Sequence, residues 1–202
     1  MEFLLLAAPF AAAWVLKLRE QRRRIHLLGR HLANYRIEKH METLTQGYLR
    51  ALGENDPDRS QPIWNLLRTT EQALRGEFSR FAADFGQLPE PETRVSKLPI
   101  DLPWATRLFP GQTFDMRQAL VIHARGITQA VERGQSQAAS REDAFTLSAE
   151  LFLMQHTCHW FCQSKSVASA RVLARHQTAY DQLLAAVAPQ TRAAYLKLVG
   201  PG

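Results

Sequence analysis

Between residues 63 and 85 the side chains Ile63, Leu67, Thr70, Leu74, Phe78, Phe81 and Phe85 return every three or four positions. In a helix they share one face, whereas in a strand they would scatter to both sides. The same period recurs as Met116, Leu120, His123, Ile127 and Val131, then through Leu151, Phe152, Cys158 and Cys162, through Leu173, Tyr180, Leu183 and Leu184, and finally at Tyr195, Leu196 and Val199. Nothing alternates with period two for long, and β-branched residues are sparse. The pattern predicts an all-α fold, a bundle of four to five helices.

Punctuation divides these stripes. Gly53 and the polar run 54–58 end one segment, Ser60 caps the next with Pro62 in its first turn, and Gly86 stops it. Residues 87–111 carry five prolines (89, 91, 99, 103 and 110). They predict a long connection, strapped to the core by Leu102, Trp104, Leu108 and Phe109, with one helical turn near 104–108. A helix over about 115–133 ends before Gly134. Ser140-Arg-Glu-Asp143 reads as a capping box opening a helix to about 163. Another helix covers about 167–187, and Pro189 opens the last.

The N-terminus differs from all of this. Residues 3–16 are uncharged, and Lys17, Arg19, Arg22, Arg23 and Arg24 follow at once, opposed only by Glu20. A secretory signal would place its positive charge before the apolar run, not after it. A buried core helix fits the length, but such a helix on a surface would show a polar stripe, and this run has none. The expectation is therefore a membrane anchor over 1–18. Lys17, Arg19, Arg22, Arg23 and Arg24 would meet lipid headgroups on the cytoplasmic side, as the positive-inside rule requires. A basic juxtamembrane helix over 19–53 and a cytoplasmic helical bundle over 54–202 would follow. This is a single-pass bacterial inner-membrane arrangement, N-terminus out. The stretch 25–52 lacks proline and is read as one continuing helix, its apolar positions Ile25, Leu28, Leu32 and Tyr35 giving way to Ile37, Met41, Leu44, Tyr48 and Leu52. It offers a surface for homo-oligomerisation.

Charge supports a local basic feature, not a basic domain. The formal net charge is +6. Residues 17–39 hold eight Lys or Arg against two Glu and so account for all of it. A nucleic-acid surface would spread such charge over the folded part, and no helix-turn-helix or stacking pattern accompanies it, so nucleic acid is not an expected partner. Twenty Arg against five Lys, with abundant Ala, is the composition of a GC-rich bacterial genome.

One cluster has side chains able to ligate metal: His156, Cys158, His159 and Cys162. Spacings of three and four bring pairs of them to adjacent turns of a helix, and His123 or His176 could complete a set. The spacing matches neither a zinc finger nor a haem-attachment motif. The competing reading is a core helix with two reduced thiols and hydrogen-bonded histidines. No phosphate loop, nucleophile elbow or H-E-x-x-H motif is present. No cofactor is expected. The functional expectation is a non-catalytic interaction or assembly factor holding a protein partner near the inner membrane. The alternative is a metal- or haem-binding helical protein using the His/Cys quartet.

Overall fold

The computed structural model describes residues 2–136 and 140–200, with the side chains of all of these except 2–10 and 136. It is an all-α bundle. Helix α1 (Glu2–Leu32) leads to α2 (Ile37–Gly53) and α3 (Pro57–Phe85). A short α4 (Glu90–Thr93), strand β1 (Arg94–Ser96), α5 (Ala105–Leu108), one 3-10 turn (Pro110–Gln112) and β2 (Thr113–Asp115) make up the proline-rich connection. Then come α6 (Met116–Ser136), α7 (Arg141–Cys162), α8 (Lys165–His176), α9 (Tyr180–Ala186) and α10 (Pro189–Val199). Helix α7 is the hub and touches α1, α2, α6, α8 and α9.

The apolar stripe of α3 is the backbone of the core. Leu67, Leu74, Phe78, Phe81 and Phe85 are all buried. Phe78, Phe81 and Phe85 follow one another at centroid spacings of 5.7 and 5.9 Å, and Phe85 meets Phe161 of α7 edge-on at 5.8 Å. Such offset and edge geometries are those the ring quadrupole favours. Helix α2 approaches α3 closely at Gly47, where a Cβ would lie 2.3 Å from Leu67 Cδ2. A side chain at position 47 would force Leu67 to shift.

The expected capping box at Ser140 is present in its first half: Ser140 Oγ accepts from the Asp143 backbone N–H at 3.0 Å. The start of α3 lies earlier than Ser60. Asp56 caps it, accepting from Asp58 N at 3.0 Å, with Pro57 in the first turn, so Pro62 falls inside the helix. The stretch 25–52 is two helices. In the turn at 33–36 the N–H groups of Ala33, Asn34 and Tyr35 donate to the carbonyls of Gly29, His31 and Leu32, while Tyr35 OH donates to Asp84 and Arg36 N to Glu77 Oε2, two ties that hold the turn against α3. The stretch 167–187 also breaks, at Gln177, whose left-handed φ of 52° ends α8. Two strands escaped the periodicity argument. β1 and β2 are three residues each and pair antiparallel, Val95 opposite Phe114. Both residues are buried, so this short ladder closes the connection onto the core.

The membrane expectation is overturned. Among the described residues no helix is long and apolar enough to cross a membrane. The reason is length. Fourteen uncharged residues rise about 21 Å as a helix, against roughly 30 Å of hydrocarbon. Charge closes in at both ends of that run, Glu2 on one side and Lys17 and Arg19 on the other. The single-pass arrangement with N-terminus out and a cytoplasmic C-terminal domain falls with it. Part of the expected anchor, the side chains of residues 3–10, lies outside the described residues. The basic cluster is likewise no uniform headgroup surface. Arg24 is buried, giving NH2 to Glu20 Oε1 at 2.7 Å and NH1 to the Phe161 carbonyl at 3.3 Å. Lys17 lies over the Trp14 ring, and Arg19, Arg22 and Arg23 are exposed.

Candidate functional site

Helix α7 carries the most informative surfaces, because two of its faces break the usual rule of polar outside and apolar inside. Its inner face places His156, Thr157 and Glu150 wholly inside the protein. Thr157 is the centre of this polar network. Its Oγ1 lies within hydrogen-bond distance of the Leu153 carbonyl at 3.0 Å, of His123 Nε2 at 2.9 Å and of Tyr195 OH at 3.0 Å. His123 Nδ1 is buried without a partner among the described residues. Burial, reinforced by the nearby His156, pushes the His123 pKa down to about 3. His156 lies 3.0 Å from Ser169 Oγ and against the Tyr180 ring, and burial, with Lys165 and His159 adding to it, takes its pKa down to about 3 as well. Both imidazoles are neutral. Glu150 Oε1 accepts from the Ala188 N–H at 3.0 Å, at the start of α10, and burial raises its pKa. Gly126 leaves room for its other oxygen, since a Cβ there would lie 2.4 Å from Glu150 Oε2.

The outer face of α7 does the opposite. Phe145, Ser148, Ala149 and Phe152 line a groove closed by Tyr48, Leu49 and Leu52 of α2 and by Leu183 and Ala186 of α9. Its volume is about 450 Å³ and its lining is mostly apolar. Leu49 is 72% exposed and Phe145 59% exposed, so the walls stand open to water. At one end Arg175, His176, Gln177 and Thr178 supply polar atoms, and beyond them a second depression of about 540 Å³ continues past Glu38, Glu42 and Gln46. The groove's own titratable groups are committed elsewhere. Tyr48 OH donates to Glu71 at 2.5 Å, and His176 Nε2 lies 2.7 Å from Gln155 Oε1 with its ring stacked on Phe152 at 3.7 Å. A groove of this kind presents shape and apolar area, not an activated nucleophile.

The His/Cys quartet shares α7 but does not converge. His156 turns to Ser169, and His159 Nδ1 faces Arg171 at 3.4 Å. Cys158 lies 3.8 Å from the Met154 sulfur, and Cys162 is buried in the core. Burial raises both thiols, Cys162 to about 11 and Cys158 further. Among the described residues no group of three or more His, Cys, Asp or Glu side chains is arranged to hold a metal. His123 joins the Thr157 network and His176 the groove, so neither completes a set.

Leu49, Phe145 and Arg175 were not legible as functional residues. Phe145 and Leu49 stand off the core stripes, and an off-stripe aromatic one turn into a helix was the only available signal. Comparison with protein-family models, with curated proteins and with solved structures finds no match.

Proposed function

We propose that this protein is a non-catalytic assembly module, in which the apolar start of α1 from one copy seats in the α2–α7–α9 groove of another. The observation that carries this reading is that one chain holds both an apolar helix start, exposed at its described positions 11, 12, 14 and 15, and an open apolar groove. Among the described side chains, the bundle buries α1 only from Arg24 onward, through Leu27 and Leu28. Ahead of that point Ala11, Ala12, Trp14 and Val15 are exposed, Trp14 by 60%. Residues 3–16 are uncharged. Such a helix loses roughly 25 cal/mol for every Å² of apolar surface left in water. A helix laid into an apolar groove is a general recognition mode, and Trp is the residue type that most often anchors one.

The contact joins two different surfaces, so two copies can make it reciprocally as a two-fold dimer, or extend it head to tail as a ring or open chain. α2 lies within the 25–52 segment expected to mediate homo-oligomerisation, and here it contributes a groove wall. Sedimentation velocity tests the proposal. The wild-type chain should run as a multimer at tens of micromolar, and Trp14→Glu and Leu49→Glu should each run as monomers. Mixed, they should form a closed 1:1 dimer, because one partner retains an intact groove and the other an intact helix. A monomeric wild type, or two variants that remain associated, would sink the reading.

A further inference from the structure

A second cleft, which shares no residue with the groove, lies where α1 crosses the proline-rich connection. Its two adjoining depressions, of about 310 and 550 Å³, meet along Arg23, Pro91, Glu92, Thr106 and Arg107. Arg19 and the Trp104 ring line the first. Two of the arginines beside it are neutralised: Arg24 pairs with Glu20, and Arg94 with Glu90. The guanidiniums of Arg19, Arg23 and Arg107 make no hydrogen bond or ion pair among the described residues, and all three residues are exposed. Three uncommitted guanidiniums thus face one cleft opposed by a single uncommitted carboxylate, Glu92. Each carries a planar fork of donors suited to two oxygens of a phosphate.

Trp104 adds a second, independent signal. Its backbone is left-handed, with φ 57° and ψ 17°, a region that a bulky residue rarely occupies. The conformation is held where its N–H reaches Glu20 Oε2 at 3.3 Å. The indole is left 48% exposed at the mouth of the cleft, on the connection and not in the core. Strained backbone persists where surrounding structure fixes it, and such sites cluster where ligands are held. An open indole beside convergent guanidiniums matches a ligand with a flat ring at one end and phosphate at the other.

We infer that this cleft binds a small phosphorylated ligand carrying a planar ring, a mononucleotide in its simplest form, with phosphate on Arg19, Arg23 and Arg107 and the ring on Trp104. The test is a two-dimensional NMR titration of the full chain with ADP, with inorganic pyrophosphate and with a short single-stranded oligonucleotide. The four tryptophans give four indole N–H signals, and Trp104→Phe identifies the one at issue. ADP should shift that signal selectively and bind at least tenfold tighter than pyrophosphate. Arg107→Ala and Arg23→Ala should each weaken ADP at least fivefold, and Arg107→Lys should recover only part of that, while the remaining spectrum stays that of the folded chain. Failure of ADP to bind at millimolar concentration would overturn the proposal, as would pyrophosphate binding equally well. Tighter binding of the oligonucleotide would also overturn it, in favour of a nucleic-acid surface.

Discussion

The two faces of α7 solve opposite problems. Inward, the helix buries His156, Thr157 and Glu150, which cost free energy unless each is hydrogen-bonded or uncharged. Outward, it exposes Phe145 and half-exposes Phe152, which cost free energy unless something covers them. The inner face is largely partnered within the chain: His123, Tyr195, Ser169 and the Ala188 N–H supply hydrogen bonds, while His123 Nδ1 and His156 Nδ1 are left without one. Among the described residues nothing comparable covers the outer face. A polar core network favours one packing arrangement, and the open apolar groove is, on the reading proposed above, where a second copy docks. The difference lies in whether the chain itself satisfies the face, and each can be broken separately.

The largest expected effect comes from acid on the inner face. His123 and His156 have folded pKa values near 3, below the ordinary 6.5. The unfolded chain therefore takes up protons that the folded chain refuses. Their stabilisation is complete above 6.5 and is lost as pH falls toward 3, at about 1.4 kcal/mol per pH unit for each histidine. Glu71 and Glu150 act with the opposite sign. Burial raises both above 4.5, so the folded state gains relative stability as pH falls through their raised values and gains nothing further below 4.5. Asp101, raised from 3.8 by burial, opposes the loss in the same way down to 3.8, so the loss should be steepest between pH 3.8 and 3, where the histidines act unopposed and Asp115, held low by Arg117, adds to it. Denaturant titrations at pH 7, 4.5 and 3.5 measure this directly. Equal stability at pH 4.5 and 3.5 would show that the imidazoles are not buried as neutral groups.

Next in size is Thr157→Val, which keeps the side-chain shape and removes the oxygen at the centre of the network. His123 Nε2 and Tyr195 OH would each lose a hydrogen-bond partner in the interior, but Tyr195 OH keeps its bond to Tyr180, so His123 is the group left unsatisfied. One unsatisfied buried group costs about 1–3 kcal/mol, which is the expected loss. Thermal melts of the variant give the number. A cost below about 0.5 kcal/mol would mean that these groups find other partners and that Thr157 is not their common partner.

The helical stripes were legible because core packing imposes the 3.6-residue period on them, and five of the six apolar members of the α3 stripe are buried. What the period cannot carry is a break held by another element. The turn at 33–36 is tied down by Asp84 and Glu77, on a different helix, which accept from Tyr35 OH and Arg36 N. The β1–β2 ladder is set by long-range pairing between three-residue segments, too short to alternate visibly. The apolar run at 3–16 was legible as a run needing cover, but its composition does not say what covers it, and its length excludes a membrane crossing. The His/Cys quartet shows the same limit: proximity in sequence put four ligating side chains on one helix, and packing turned them to different neighbours. Of the two proposed sites, the basic cluster and the apolar run of α1 had clear sequence signals, whereas the groove offered only the off-stripe Phe145. The place of the basic cluster beside Arg107 depends on where the connection crosses.

The smallest effect on stability, and the sharpest test of the comparison, belongs to Phe145→Ser. The ring is exposed at the groove mouth, over which Arg141 lies at 6.0 Å, and it contributes little to the core. Surface substitutions away from caps and buried networks change stability by about 0.5 kcal/mol or less, so the melt should barely move. Association should move much more, because an aromatic wall at the centre of a contact is the kind of residue whose loss costs 2 kcal/mol or more of binding, about thirtyfold in affinity. Thr157→Val should show the converse pattern, a large loss of stability with association unchanged per folded molecule. Measuring melts and sedimentation on both variants separates the two faces of α7. If Phe145→Ser lowered stability as much as Thr157→Val and left association intact, the outer face would be part of the core and the groove would not be a docking surface.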